Sequence, residues 1–160
     1  MAWADARPAS FAPLCQTTPA VDRRWPETLY ALDCHASGMQ YWHLCNVLLA
    51  LHNPGFPTIS GGLRGVEEAS RKAAGEVRGG VRAVCGIAKA VDAWGSGTGT
   101  TAAAGVGGWE GVLAVTAIRA CKAWFEEEAE RREMCALVAA VEKAVGCRFG
   151  DEWMSGWGEK

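Results

Sequence analysis

Cys34, His35, His43 and Cys45 fall within twelve consecutive residues. Thiols and imidazoles are the side chains that most often hold zinc or form nucleophile–base pairs. Zinc sites usually take their ligands in close pairs such as Cys-x₂₋₄-Cys, each pair fixing a tight turn. Here no two cysteines stand closer than eleven positions, and His43 and Cys45, two apart, leave a helix on different sides. A catalytic thiol needs a base within hydrogen-bond reach and a third group to orient that base. Nothing in the spacing demands such an arrangement, and no Gly-x-Ser-x-Gly turn or oxyanion motif accompanies it. Buried cysteines acting as small hydrophobes are the simpler reading. A small helical thiol or zinc enzyme using these four residues therefore stands only as an alternative. No catalytic residue, metal ligand or cofactor site is assigned.

Other polar patterns carry less. Glu126, Glu127 and Glu128 make an acidic run of the kind that opens a helix and faces water. The glycine-rich GSGTGT follows a helical pattern rather than a strand, and Gly-x₄-Gly-Lys-Ser/Thr is absent, so a phosphate loop is not indicated. Arg71, Lys72, Arg78 and Arg82 are largely neutralised by Glu67, Glu68 and Glu76, which argues against a phosphate-tracking stripe. Gly75 and Gly79 match a small-xxx-small spacing, which outside a membrane marks close helix packing or nothing.

The elements that must position these residues read as helices. Residues 1–24 are Ala- and Pro-rich without periodicity and are expected to be a disordered lead-in. Pro26 suits the first turn of a short helix over 25–32. A longer helix is predicted from about Ser37 to His52, apolar on nearly every face and so expected to be buried on all sides. Asn53-Pro54-Gly55 ends it. The second helix, about 63–91, carries Val77, Val81, Val84, Cys85, Ala88 and Val91 at three- and four-residue spacing, with a bend or break expected at Gly79-Gly80. Residues 95–108 form a flexible Gly/Thr/Ala insert. A third helix follows over about 109–124, with Val112, Leu113, Thr116, Cys121 and Trp124 as inward candidates. A fourth covers about 127–145, with Met134, Leu137, Val138, Val141 and Val145 on one face, and 151–160 is a tail. No strand alternation persists. The fold class is all-α: an antiparallel array of four to five helices.

Composition sets the outer limits. At 160 residues, 49% hydrophobic and 21% charged, the chain is large enough for one core and too apolar to be wholly disordered. A net charge of -2 gives no global reason to bind nucleic acid or an anionic membrane. The seven cysteines are an odd number, which argues against a fully paired disulfide framework. No signal-peptide core, membrane span or basic import run is evident, so free thiols in a reducing compartment are expected. Eight tryptophans against two tyrosines and four phenylalanines is an unusual balance, and Trp153 and Trp157 in the tail are candidate docking anchors.

Three segments, taken in order, resemble one family. They are WPETLYALDCHASGMQYWHLCNVLLALHNP (Trp25–Pro54), EVRGGVRAVCGIA (Glu76–Ala88) and AIRACKAWFEEEAERREMCALVAAVEKAVGC (Ala117–Cys147). They are similar to the C-terminal helical region of binuclear zinc-cluster fungal transcription factors, the fungal-specific transcription factor domain. The likeness covers about 25–150, departing at the insert and at Cys147-Arg148-Phe149, where a Trp-Pro pair is more familiar. It implies a helical regulatory domain without catalysis or cofactor. It also implies a nuclear location and contacts with the remainder of a transcription factor or with co-regulators. The six-cysteine cluster is missing, so this segment is expected not to contact DNA itself and to be a fragment or a truncated product. A generic helical adaptor remains a further alternative.

Overall fold

A computed structural model describes residues 6–18, 24–52, 62–95 and 108–150, the side chains of 92–95 excepted. Four α-helices lie among them: α1 (Asp33–Leu51), α2 (Gly62–Gly95), α3 (Trp109–Cys121) and α4 (Glu128–Val145). A 3-10 turn, Lys122–Trp124, closes α3. The strands among the described residues are two residues each, β1 (Cys15–Gln16) and β2 (Thr28–Leu29), paired antiparallel with Cys15 opposite Leu29. The fold is an all-α helical array, as the periodicity requires. No described helix is long and apolar enough to cross a membrane. The expected loop at 53–61, most of the insert (96–107) and the tail with Trp153 and Trp157 lie outside the described residues.

The helices begin and end for local reasons. Asp33 sits in the first turn of α1, where a carboxylate meets the positive end of the helix dipole. Glu128 and Glu130 do the same for α4, and Glu128 pairs with Arg132 one turn on. Gly146 ends α4 in the left-handed region at φ 68°, its N–H donating to the Glu142 carbonyl at 2.9 Å. The chain then folds back, and the Phe149 N–H donates to Glu142 Oε1 at 2.8 Å.

α2 is the spine, and its valine stripe is buried as the spacing demands: Val77, Val81, Val84, Cys85 and Ala88 are fully enclosed and Val91 nearly so. α4 supplies Met134, Leu137, Val138 and Val141 to the same core, together with Trp25 and Phe125. Fully burying one such side chain contributes about 1.5–3 kcal/mol. No break occurs at Gly79-Gly80: α2 is continuous over 34 residues. The two glycines differ in surroundings. Gly79 faces open space, whereas a Cβ on Gly80 would stand 2.5 Å from Val47 Cγ2 and 3.5 Å from the His43 carbonyl oxygen. Gly80 is thus the point where α1 crosses α2 closely.

Three expectations need correction. The helix enclosed on nearly all sides is α3, not α1: eight of its residues are buried, from Glu110 to Cys121. Residues 6–18 are not a structureless lead-in, since Ala9–Phe11 form a 3-10 turn and β1 follows. Residues 25–32 do not form a helix. Their backbone is pulled out straight because its hydrogen bonds are taken by the earlier segment: Leu14 N–H to the Leu29 carbonyl at 2.8 Å and Thr17 N–H to the Glu27 carbonyl at 2.9 Å. Among the inward candidates, Thr116 is exposed, bonding the Val112 carbonyl at 2.9 Å, and Val145 is 40% exposed.

Candidate functional site

α1 carries Cys34, His35, His43 and Cys45, and the helix sends them to different sides. Cys34 and Cys45 are exposed on the outer side, eleven residues and about 16 Å apart along the axis. His35 turns inward against Phe11, with ring centroids 4.4 Å apart. His43 faces α2 and the N-terminal segment. No group of three metal-binding side chains comes together among the described residues. All seven thiols are free. Cys85, fully enclosed in α2, has its thiol pushed far above the ordinary range by burial.

Two apolar stripes on opposite sides of α1 explain why its sequence shows no amphipathic period. The inner stripe is Ala36, Met39, Val47 and Ala50, interrupted by Gln40. Gln40 is completely buried, and its Nε2 donates to the Val84 carbonyl at 2.9 Å and the Glu110 carbonyl at 3.0 Å, tying α1 to α2 and α3. The Ser37 hydroxyl adds a 2.6 Å bond to the Glu110 carboxylate. The outer stripe is Tyr41, Cys45, Leu48 and Leu49. Tyr41 is 45% exposed, Leu48 50% and Leu49 69%. Trp109, at the start of α3 and 60% exposed, extends this face by donating its indole N–H to the Tyr41 hydroxyl at 2.9 Å. Between Cys34 and Leu51, α1 carries no Asp, Glu, Lys or Arg.

A second feature lies behind the inner stripe. A cavity of about 180 Å³ opens between the N-terminal segment, β2, α1 and α2. Arg7, Tyr30 and His43 contribute polar groups, while Met39, Trp42 and Ile87 form apolar wall. Burial pushes the His43 pKa down to about 4, and the Arg7 charge acts in the same direction. The Tyr30 phenol is raised by burial, against a smaller opposing effect of Arg7. Its hydroxyl therefore stays protonated.

The His43 shift has a stability consequence. An unfolded chain takes up that proton near pH 6.5. Between about pH 6.5 and pH 4 the unfolded state holds the proton and the folded state does not, so stability falls as pH falls through this window. Below the folded value both states are protonated and the loss stops. His43→Gln is expected to flatten this acid limb by roughly 3 kcal/mol, read from urea unfolding at a series of pH values.

Arg7, Tyr30, Gln40 and Glu110 were not legible as site residues, because no local motif links them. The only signal was negative: Gln40 interrupts an otherwise apolar helix face. No protein-family model matches this chain, and neither a curated protein nor a solved structure matches it.

Proposed function

We propose that this chain is a non-catalytic protein-interaction domain of the regulatory kind found in fungal transcription factors, acting in the nucleus without contacting DNA itself. The ordered segments over 25–150 support the family assignment. The outer face of α1 supports the interaction role. Leu49 is 69% exposed in the last turn of α1, whose neighbouring positions Tyr41, Cys45 and Leu48 are also uncovered, and such contiguous apolar surface marks a contact site. The dispersed Cys34, His35, His43 and Cys45 give no comparable support to a thiol or zinc enzyme.

The occupant proposed for this face is a second copy of the chain. A twofold interface sets the same residues against each other, so it needs a surface free of like charges. α1 meets that condition from Cys34 to Leu51, whereas α2 and α4 present charged outer faces. At roughly 100 µM, about a hundredfold above the micromolar dissociation constant of a modest interface, light scattering is expected to give twice the chain mass. Leu48→Lys with Leu49→Lys places lysines across the twofold and is expected to give a folded monomer, checked by circular dichroism. A wild-type monomer at that concentration contradicts the self-pairing.

A further inference from the structure

We propose that the cavity behind α1 binds a small monocarboxylate whose body is about the size of a benzene ring. The space, about 180 Å³, is adequate: an apolar cavity of about 150 Å³ is enough to take up benzene. Its walls divide into an apolar part, Met39, Trp42 and Ile87, and a polar part, Arg7, Tyr30 and His43. An apolar body alone would not need the second group, and an inorganic anion would leave the first uncovered.

Charge decides the sign of the ligand. Among the described residues, Arg7 is the one charged residue lining the cavity, and no described carboxylate lines it. It forms no ion pair among the described residues; its guanidinium rests 3.8 Å from the Met39 sulfur. A guanidinium offers five N–H donors in a planar fork that matches a carboxylate, so one monoanion completes it. The Tyr30 hydroxyl and the His43 ring nitrogens make no hydrogen bond among the described residues, leaving neutral partners for the same anion. A cationic ligand would be repelled by Arg7. The site is distinct from the outer face of α1 and does not depend on self-pairing.

The test is an NMR titration of the ¹⁵N-labelled chain with benzoate, and in parallel with benzyl alcohol and acetate. Benzoate is expected to saturate in the millimolar range or below, shifting the Arg7 Nε–H and Trp42 indole signals. Benzyl alcohol lacks the charge and acetate lacks the body, and each is expected to bind at least about tenfold more weakly. Arg7→Gln, at an exposed position that leaves the core untouched, is expected to weaken benzoate about tenfold or more. Arg71→Gln, on the exposed first half of α2, is expected to leave it unchanged. The proposal is overturned by benzyl alcohol binding as tightly as benzoate, by equal losses in both arginine variants, by Arg7→Gln binding as the wild type does, or by no saturable shift up to about 10 mM.

Discussion

Gly86→Ala is expected to destabilise the chain by about 2–4 kcal/mol, although alanine is the better helix former by about 1 kcal/mol. Gly86 lies in the buried C-terminal half of α2, where the segment before β2 crosses it. A Cβ there would overlap the Pro26 carbonyl oxygen and stand 3.0 Å from the Pro26 carbonyl carbon and 3.6 Å from Glu27 Cα. These are backbone atoms, not the end of a flexible side chain, so residues 24–29 must lift away. That segment carries Trp25, which is 1% exposed and stacks under the Lys89 ammonium at 4.7 Å from the ring centroid. Losing a buried tryptophan outright costs about 3–5 kcal/mol, and partial displacement accounts for the range given. Gly79→Ala, in open space on the same helix, is expected to raise stability by about 1 kcal/mol. Urea unfolding of the two variants compares them directly. Equal stabilisation by both would mean that residues 24–29 do not pack on α2.

Arg82→Met is the second large effect, expected at about 3 kcal/mol of lost stability. Arg82 on α2 grips Glu130 on α4 with two bonds, 2.6 Å from Nε and 2.9 Å from Nη2. The partners are unequally exposed: the Glu130 side chain is 4% exposed and that of Arg82 38%. Removing the arginine strands a buried carboxylate, which costs about 3–5 kcal/mol, the lower end applying where water can reach the vacated side. Replacing Glu130 instead leaves a guanidinium that can turn outward, so Glu130→Met is expected to cost less. The double variant Arg82→Met with Glu130→Met is expected to recover most of the loss, because an apolar pair fills the site without desolvating a charge. A double-mutant cycle in urea measures the coupling. Additive single losses would mean that the pair does not interact.

How much was legible follows from how local each signal is. The α2 stripe from Val77 to Val91 reads directly, since burial on one side imposes the three- and four-residue spacing. α1 misleads because its two opposite sides are both apolar: a helix with one covered and one uncovered stripe looks the same in sequence as one enclosed by a core. The pairing of β1 with β2 involves two residues on each strand, too few for any alternation to show. Gly79, Gly80 and Gly86 are chemically identical letters whose meanings, open surface, helix crossing and backbone contact, depend on what passes over them. The cavity was hidden for the same reason. Its polar groups Arg7, Tyr30 and His43 come from three separate elements, and neither Arg7 nor Tyr30 stands in a motif.

The uncovered side of α1 is the feature on which the functional reading turns. An isotope-filtered NOE experiment on an equal mixture of labelled and unlabelled chain examines it most directly, because it registers only contacts between copies. Cross-peaks from the Leu48 and Leu49 methyls of one copy to the α1 side chains of the other, with Tyr41 and Trp109 at the edge, are the expected result. Intermolecular cross-peaks confined to other surfaces, or none at a concentration where the outer face should be occupied, would contradict it.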